Sequence, residues 1–135
     1  ALRVRSIHRP YHAVMADLIA ARKAAGRETI LLSLHSFTPV LNGEARPWDI
    51  GILHWRGRAD FALSMLDQLR TIGGIVVGDN DPYAMDATDY TVPFHAFPKA
   101  LRYAEIEVRQ DLIADIEGQA LWAERIAQAA RRAIA

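Results

Sequence analysis

The sequence predicts an α/β protein, a layered α/β/α arrangement around a central mixed, largely parallel sheet. Short apolar runs at residues 29–34, 50–54, 75–77 and 103–109 alternate with stretches of 3.6-residue periodicity. The first of these runs is nearly continuous, which is the pattern of a strand buried on both faces. The 135 residues contain no internal repeat, low-complexity tract or linker, so residues 1–135 read as one domain with a sizeable core.

The elements follow in order. Tyr11, Val14, Met15, Leu18, Ile19 and Arg22 mark an amphipathic helix over residues 6–25, with Pro10 in the first turn and Gly26 as its stop. The first strand, Thr29–Leu34, climbs to His35. A loop punctuated by Pro39, Asn42-Gly43 and Pro47 leads to a second strand at Ile50–His54. Phe61, Met65, Leu66, Leu69 and Ile72 mark a helix over 58–72 that ends at Gly73-Gly74, and Ile75–Val77 is a third strand. Residues 79–98 read as a long irregular segment of the kind that carries function. Tyr103–Arg109 is the fourth strand, and an Ala-rich helix covers 117–134. The opening residues, Ala1 to Arg5, have neither an initiator Met nor a cap signal, and the expectation is a piece cut from a longer chain.

Composition narrows the chemistry. About half the residues (51%) are hydrophobic and the net charge is zero, which removes the electrostatic argument for a nucleic-acid or anionic-membrane partner. No apolar run reaches the ~18 residues a membrane span needs, and no leader pattern opens the chain; the expected location is the cytoplasm. There is no cysteine, so any metal must be held by His, Asp or Glu.

In open α/β sheets ligands bind beyond the carboxyl ends of the strands. His35, read as the first residue past its strand, is placed at that rim; it is either a ligand or catalyst, or a histidine satisfied by a loop carbonyl. His8 and His12, four apart on one helix, share a face. No Glu follows His8, so they fit a polar edge near the loops better than a metal pair. Glu105, Glu107 and Arg109 share one face of a strand and Ala104, Ile106 and Val108 the other. One Glu should pair with Arg109 or another cation. That face is either a solvated edge or the seat of a general base whose pKa is set by burial and a neighbouring cation. Arg46, beside Pro47 and Trp48, suits bidentate carboxylate binding, or is a surface arginine. Asp79 to Tyr83 is a turn in which Asp79 or Asp81 could cap a short helix. Among Asp86, Asp89, Tyr90 and His95 the spacing does not choose.

Taken together, HRPYH (8–12), SLHSFTP (33–39), RPWDIGILH (46–54), VGDNDPYAMD (77–86), DYTVPFHA (89–96) and EIEVRQDLI (105–113) resemble the N-formylglutamate amidohydrolase family, in the family's order and over nearly the whole chain. Members are longer, and this sequence resembles their C-terminal half. The family is similar in design to zinc carboxypeptidases. The resemblance implies a phosphorylase/hydrolase-like fold, incomplete at its N-terminal side. It also implies Zn2+ as cofactor, with His35 of His35-Ser36-Phe37 as a metal ligand and Glu107 of Glu107-Val108-Arg109 as the general base. The implied substrate is N-formyl-L-glutamate or a related N-acyl amino acid, cleaved to formate and glutamate in histidine breakdown. Arg46 is the first candidate for the substrate's carboxylates, with Asn80 and Tyr83 in support; Arg109 either binds substrate or orients Glu107. The His-and-acid element that supplies the other ligands in that pattern is not found in these residues and is expected before Ala1. Two further expectations follow. The sheet should have an unprotected edge, making the isolated chain unstable or homo-oligomeric. The alternative to an enzyme is a binding module that keeps the acidic-metabolite pocket without the metal.

Overall fold

The computed structural model describes residues 2–134; Ala1 and Ala135, the ends of the domain read from the sequence, lie outside them. The first helix begins with a π turn at Val4–His8 and continues as α1 (Arg9–Ala24). β1 (Ile30–Phe37) follows, then a small hairpin of β2 (Val40–Leu41) and β3 (Glu44–Ala45). Asn42 and Gly43, both with positive φ, make its turn. The chain continues through β4 (Ile50–Leu53), α2 (Asp60–Arg70), β5 (Val77–Asp79), α3 (Thr91–His95), β6 (Arg102–Arg109) and α4 (Ile116–Ile134).

The main sheet has four strands in the order β1-β6-β4-β5. β1 runs parallel to β6 and β4 parallel to β5, while β4 and β6 are antiparallel. The sheet is therefore mixed, mostly parallel and open. Against one face α2 and α4 pack Phe61, Met65, Leu66, Leu69 and Trp122 onto Ile50, Ile52, Ala104, Ile106 and Val108. Against the other face Met15 of α1 and Val92 of α3 join Leu31, Leu53, Met85 and Tyr103. The strict alternation in β6 sorts its residues between these two layers. This is the layered α/β/α architecture expected from the sequence.

Several local expectations need correction. β1 is not buried on both faces: Leu34 is 66% exposed and Leu32 38%, because β1 is an edge strand and, among the described residues, no helix covers that side of it. His35 lies within β1 rather than past its end, since the ladder to β6 continues to Phe37–Arg109. The third strand begins at Val77, two residues later than its apolar run. Val76 instead closes the entry to the sheet, its N–H donating to the Asp49 side chain at 2.8 Å and its carbonyl accepting from Asp49 N–H at 2.8 Å. The segment read as irregular contains α3, whose Pro93 sits within the first turn where no N–H is needed. Finally, α1 turns Tyr11, Val14 and Leu18 outward and buries only His12 and Ile19.

Candidate active site

The parallel ladder between β1 and β6 decides which side chains meet. Ser33 stands opposite Glu105 and His35 opposite Glu107, all on one face of the sheet. On β4, Leu53 is opposite Glu105 and Gly51 opposite Glu107, so no side chain crowds Glu107 from that flank. Gly51 and, beside it on β5, Gly78 let the chain after β5 fold back over the sheet: a Cβ at either position would run into the Asp81 backbone carbonyl. Asn80, with positive φ, fixes that return by donating its N–H to the Ile52 carbonyl at 3.0 Å. Its side-chain oxygen accepts the His54 N–H at 2.9 Å.

Ser33, Glu105 and Glu107 are buried and His35 is exposed. Ser33 Oγ lies 2.9 Å from His35 Nε2. Burial pushes the carboxyls of both Glu105 and Glu107 above the usual range, against the pull of His35 on each. The Asp89 charge reinforces the rise at both, Ser33 opposes it at Glu105, and Arg46 opposes it at Glu107. The Oε2 atom of Glu107 is buried and, among the described residues, has no hydrogen-bond partner. An orphaned carboxylate oxygen with raised proton affinity is poised to take a proton from something that enters the site.

Arg46 is placed by the hairpin. Its N–H donates to the Pro39 carbonyl at 2.8 Å and its Nη1 to the Thr38 carbonyl at 3.3 Å. The guanidinium stacks between Phe37 and Tyr83, 5.0 and 4.6 Å from the ring centroids. It is only 7% exposed and, among the described residues, forms no ion pair. Arg46 and Tyr83 line a cleft of about 460 Å³ with Leu41, Glu44, Trp48 and Pro82. A buried cation with no ion-pair partner among the described residues, beside an open cleft, suits a ligand carboxylate.

His35 and Glu107 stand side by side on the sheet face, and Arg46, stacked on Tyr83, is near enough for its charge to act on Glu107, although the cleft of Arg46 and Tyr83 is not lined by His35 or Glu107; two candidates lie aside. Arg109 turns to the strand end, pairing with Asp49 at 3.1 Å and Asp111 at 2.8 Å and donating to the Trp48 carbonyl. The expected pairing of a strand glutamate with Arg109 is absent from the described residues, because the acids at the entry to β4 and beyond β6 take the guanidinium. Asn80 holds backbone. Asp79 caps no helix; it binds His54 at 2.8 Å and Arg70 at 3.2 Å, and the His54 hydrogen bond holds its carboxyl below the usual range. His12 is buried and meets His95, Nδ1 to Nε2, at 2.9 Å; its partner came from a segment where spacing made no choice. Asp89, whose charge acts on both glutamates, is one of the four residues among which spacing does not choose, and Ser33 has no sequence signal at all. A small polar residue inside an apolar run carries no periodic signal.

A metal-binding reading can be tested on these donors. His35 offers an exposed imidazole beside an orphaned carboxylate oxygen, which fits one ligand next to a base. Among the described residues no group of three or more His, Cys, Asp or Glu is arranged to hold a metal ion.

The family model for N-formylglutamate amidohydrolase matches residues 1–114. The chain belongs to the N-formylglutamate amidohydrolase family. Among solved structures it is similar to gene product Atu2144 from Agrobacterium tumefaciens, at 36% identity and a TM-score of 0.92, covering 98% of this chain and 52% of that one. An N-formylglutamate amidohydrolase from Ralstonia eutropha JMP134 shares the fold at 20% identity and a TM-score of 0.63, covering 97% of this chain and 53% of that one. The chain therefore spans about half the length of both. No curated protein matches it. No helix among the described residues is long and apolar enough to cross a membrane.

Proposed function

We propose that this chain carries the base and the carboxylate-binding half of a zinc-dependent amidohydrolase acting on N-formyl-L-glutamate or a related N-acyl amino acid. The observation that carries the reading is the pairing of His35 with Glu107, whose inner oxygen is buried and unsatisfied. Bound at His35 and ligands beyond the described residues, Zn2+ would polarise the formyl carbonyl and bring the pKa of water toward ~7. Glu107 takes the proton of the water that adds to the formyl carbon. It passes that proton to the amide nitrogen as the C–N bond breaks, giving formate and glutamate. Burial raises Glu107's proton affinity, so it can hold the proton between the two steps. Arg46 binds a carboxylate of the glutamate portion, with the Tyr83 ring fixing the guanidinium plane. Asn80 and Arg109 serve this site through the backbone they hold rather than through substrate.

A second reading, a metal-free binding module for acidic metabolites, rests on Arg46, buried between Phe37 and Tyr83 beside the cleft. Formate release from N-formyl-L-glutamate, followed with and without a zinc chelator, separates the two. The hydrolase reading expects release that chelation abolishes and added Zn2+ restores. Chelator-insensitive binding of glutamate with no formate release would replace it with the binding module.

A further inference from the structure

The chain is neutral overall, yet five of its 16 Lys and Arg side chains line one cleft of about 440 Å³. They are Lys23, Arg27, Arg58, Lys99 and Arg102, with Glu28 as the one acid among the described lining residues. The fold builds this cleft where the strands begin. α1 carries Lys23 in its last turn, and the chain turns at Gly26, with positive φ, into Arg27 and Glu28. Lys99 leads through Ala100, also at positive φ, to Arg102 at the start of β6, and Arg58 bridges to Arg102. Ile30 and Arg102 open the β1–β6 ladder five residues before His35 and Glu107, so the cleft lies roughly 16 Å along the strands from that pair.

Gathering like charges costs free energy unless acids offset it. Here the acids engage only two of the five cations. Asp60 meets Arg58 at 3.3 Å and Arg102 at 3.1 Å, and Glu28 reaches Arg102 only at 3.8 Å. Arg102 Nε is buried and, among the described residues, has no acceptor in hydrogen-bond geometry. Lys23, Arg27 and Lys99 form no ion pair among the described residues. Lys99 Nζ donates to the His95 carbonyl at 3.5 Å and keeps further N–H groups. Five cations against Glu28 and Asp60 leave a surplus of three positive charges.

We propose that this cleft binds a small anion bearing phosphoryl groups and several negative charges, of the size and charge of pyrophosphate. The surplus calls for a multivalent anion, and the volume is that of a small-molecule site. Donors arriving from α1, from the turn after it and from the segment before β6 suit phosphoryl oxygens, which point in several directions, better than a planar carboxylate. The proposal does not rest on the hydrolase reading.

Calorimetric titration of the chain with pyrophosphate at pH 8 and low salt tests it. One site per chain is expected, weakening as salt rises. Lys23→Gln with Arg27→Gln should weaken binding by about tenfold or more, because hydrogen bonds to charged groups are the strong ones. Glu28→Gln removes the acid from the lining and should tighten binding several-fold, a gain that a misfolded variant cannot give. Arg46→Ala, which alters the other cleft, should leave the affinity for pyrophosphate unchanged. Citrate, a tricarboxylate, should bind more weakly than pyrophosphate. No binding of pyrophosphate, wild-type affinity in the Lys23→Gln/Arg27→Gln chain, loss of binding in Arg46→Ala, or citrate binding as tightly as pyrophosphate overturns the proposal.

Discussion

Arg46 shows how far single residues can be read. Its neighbours Pro47 and Trp48 suggested a loop arginine held stiffly enough to bind a carboxylate. What the sequence could not show was its burial: the guanidinium sits between Phe37 and Tyr83, residues nine before and thirty-seven after it, brought there by a hairpin and by the fold-back over Gly51 and Gly78. If this cation receives the substrate's carboxylate, Arg46→Ala should raise KM for N-formyl-L-glutamate by about 10²-fold or more, in line with ~2–5 kcal/mol for truncating one partner of a buried charge pair. Arg46→Lys should recover only part of that, since lysine lacks the planar fork. Steady-state kinetics check both; an unchanged KM in Arg46→Ala would remove it from the binding site. Glu107 was legible for a different reason. The period of two in Glu105-Ile106-Glu107-Val108-Arg109 fixes which residues share a face, and that survives any tertiary context. Arg109 misled because the alternation says nothing of where a strand stops. At the last position of β6 the side chain reaches Asp49 and Asp111 instead.

Among the elements, α1 departs most from its pattern. Its apolar stripe predicted a buried face, but Tyr11, Val14 and Leu18 are exposed and the helix is anchored by Met15, Ile19 and the His12–His95 contact with α3. Burial holds both imidazoles below the usual histidine pKa, helped at His12 by His8 and at His95 by His12 and Lys99. The folded state therefore takes up fewer protons than the unfolded one as pH falls through about 6.5. Stability contributed by this contact is complete above that pH and is lost below it. Glu105 and Glu107 act in the opposite sense, because their raised pKa values make folding easier as pH falls. Comparing denaturation midpoints of wild type and His95→Gln at pH 8 and pH 5.5 isolates the histidine part. The gap between the two proteins should shrink on acidification, and a gap that stays constant or widens would contradict this reading of α1. β4, β6 and α4, in contrast, match their sequence patterns to within a residue and α2 to within two, whereas β1 runs three residues past its apolar run and β2 and β3 fall where the turn residues signal a loop. Phe61, Met65, Leu66 and Leu69 on α2 meet a sheet face made of the alternate residues of β4 and β6, so local period and tertiary burial agree.

On the scale of the whole molecule, the exposed side of β1 stands out. It is an edge strand, and its Leu32 and Leu34 are exposed. An open edge with bare leucines is a template for further pairing. The isolated chain should therefore self-associate, and Leu34→Lys should shift it toward monomer in sedimentation velocity; a wild-type chain that stays monomeric at high concentration would show that the edge is harmless. The sequence could suggest an open edge but not name the strand, because sheet order is set by contacts distant in the chain. The same order makes the candidate site. β6 returns between β1 and β4 and so places Glu107 next to His35, a juxtaposition that neither segment encodes alone.

If Glu107 moves the proton in amide cleavage, the rate of formate release by Glu107→Gln reads that step. Because general base catalysis is worth about 10²–10⁴-fold, the variant should fall below ~1% of the wild-type rate while still binding glutamate through Arg46. Formate release at the wild-type rate from Glu107→Gln would contradict the account.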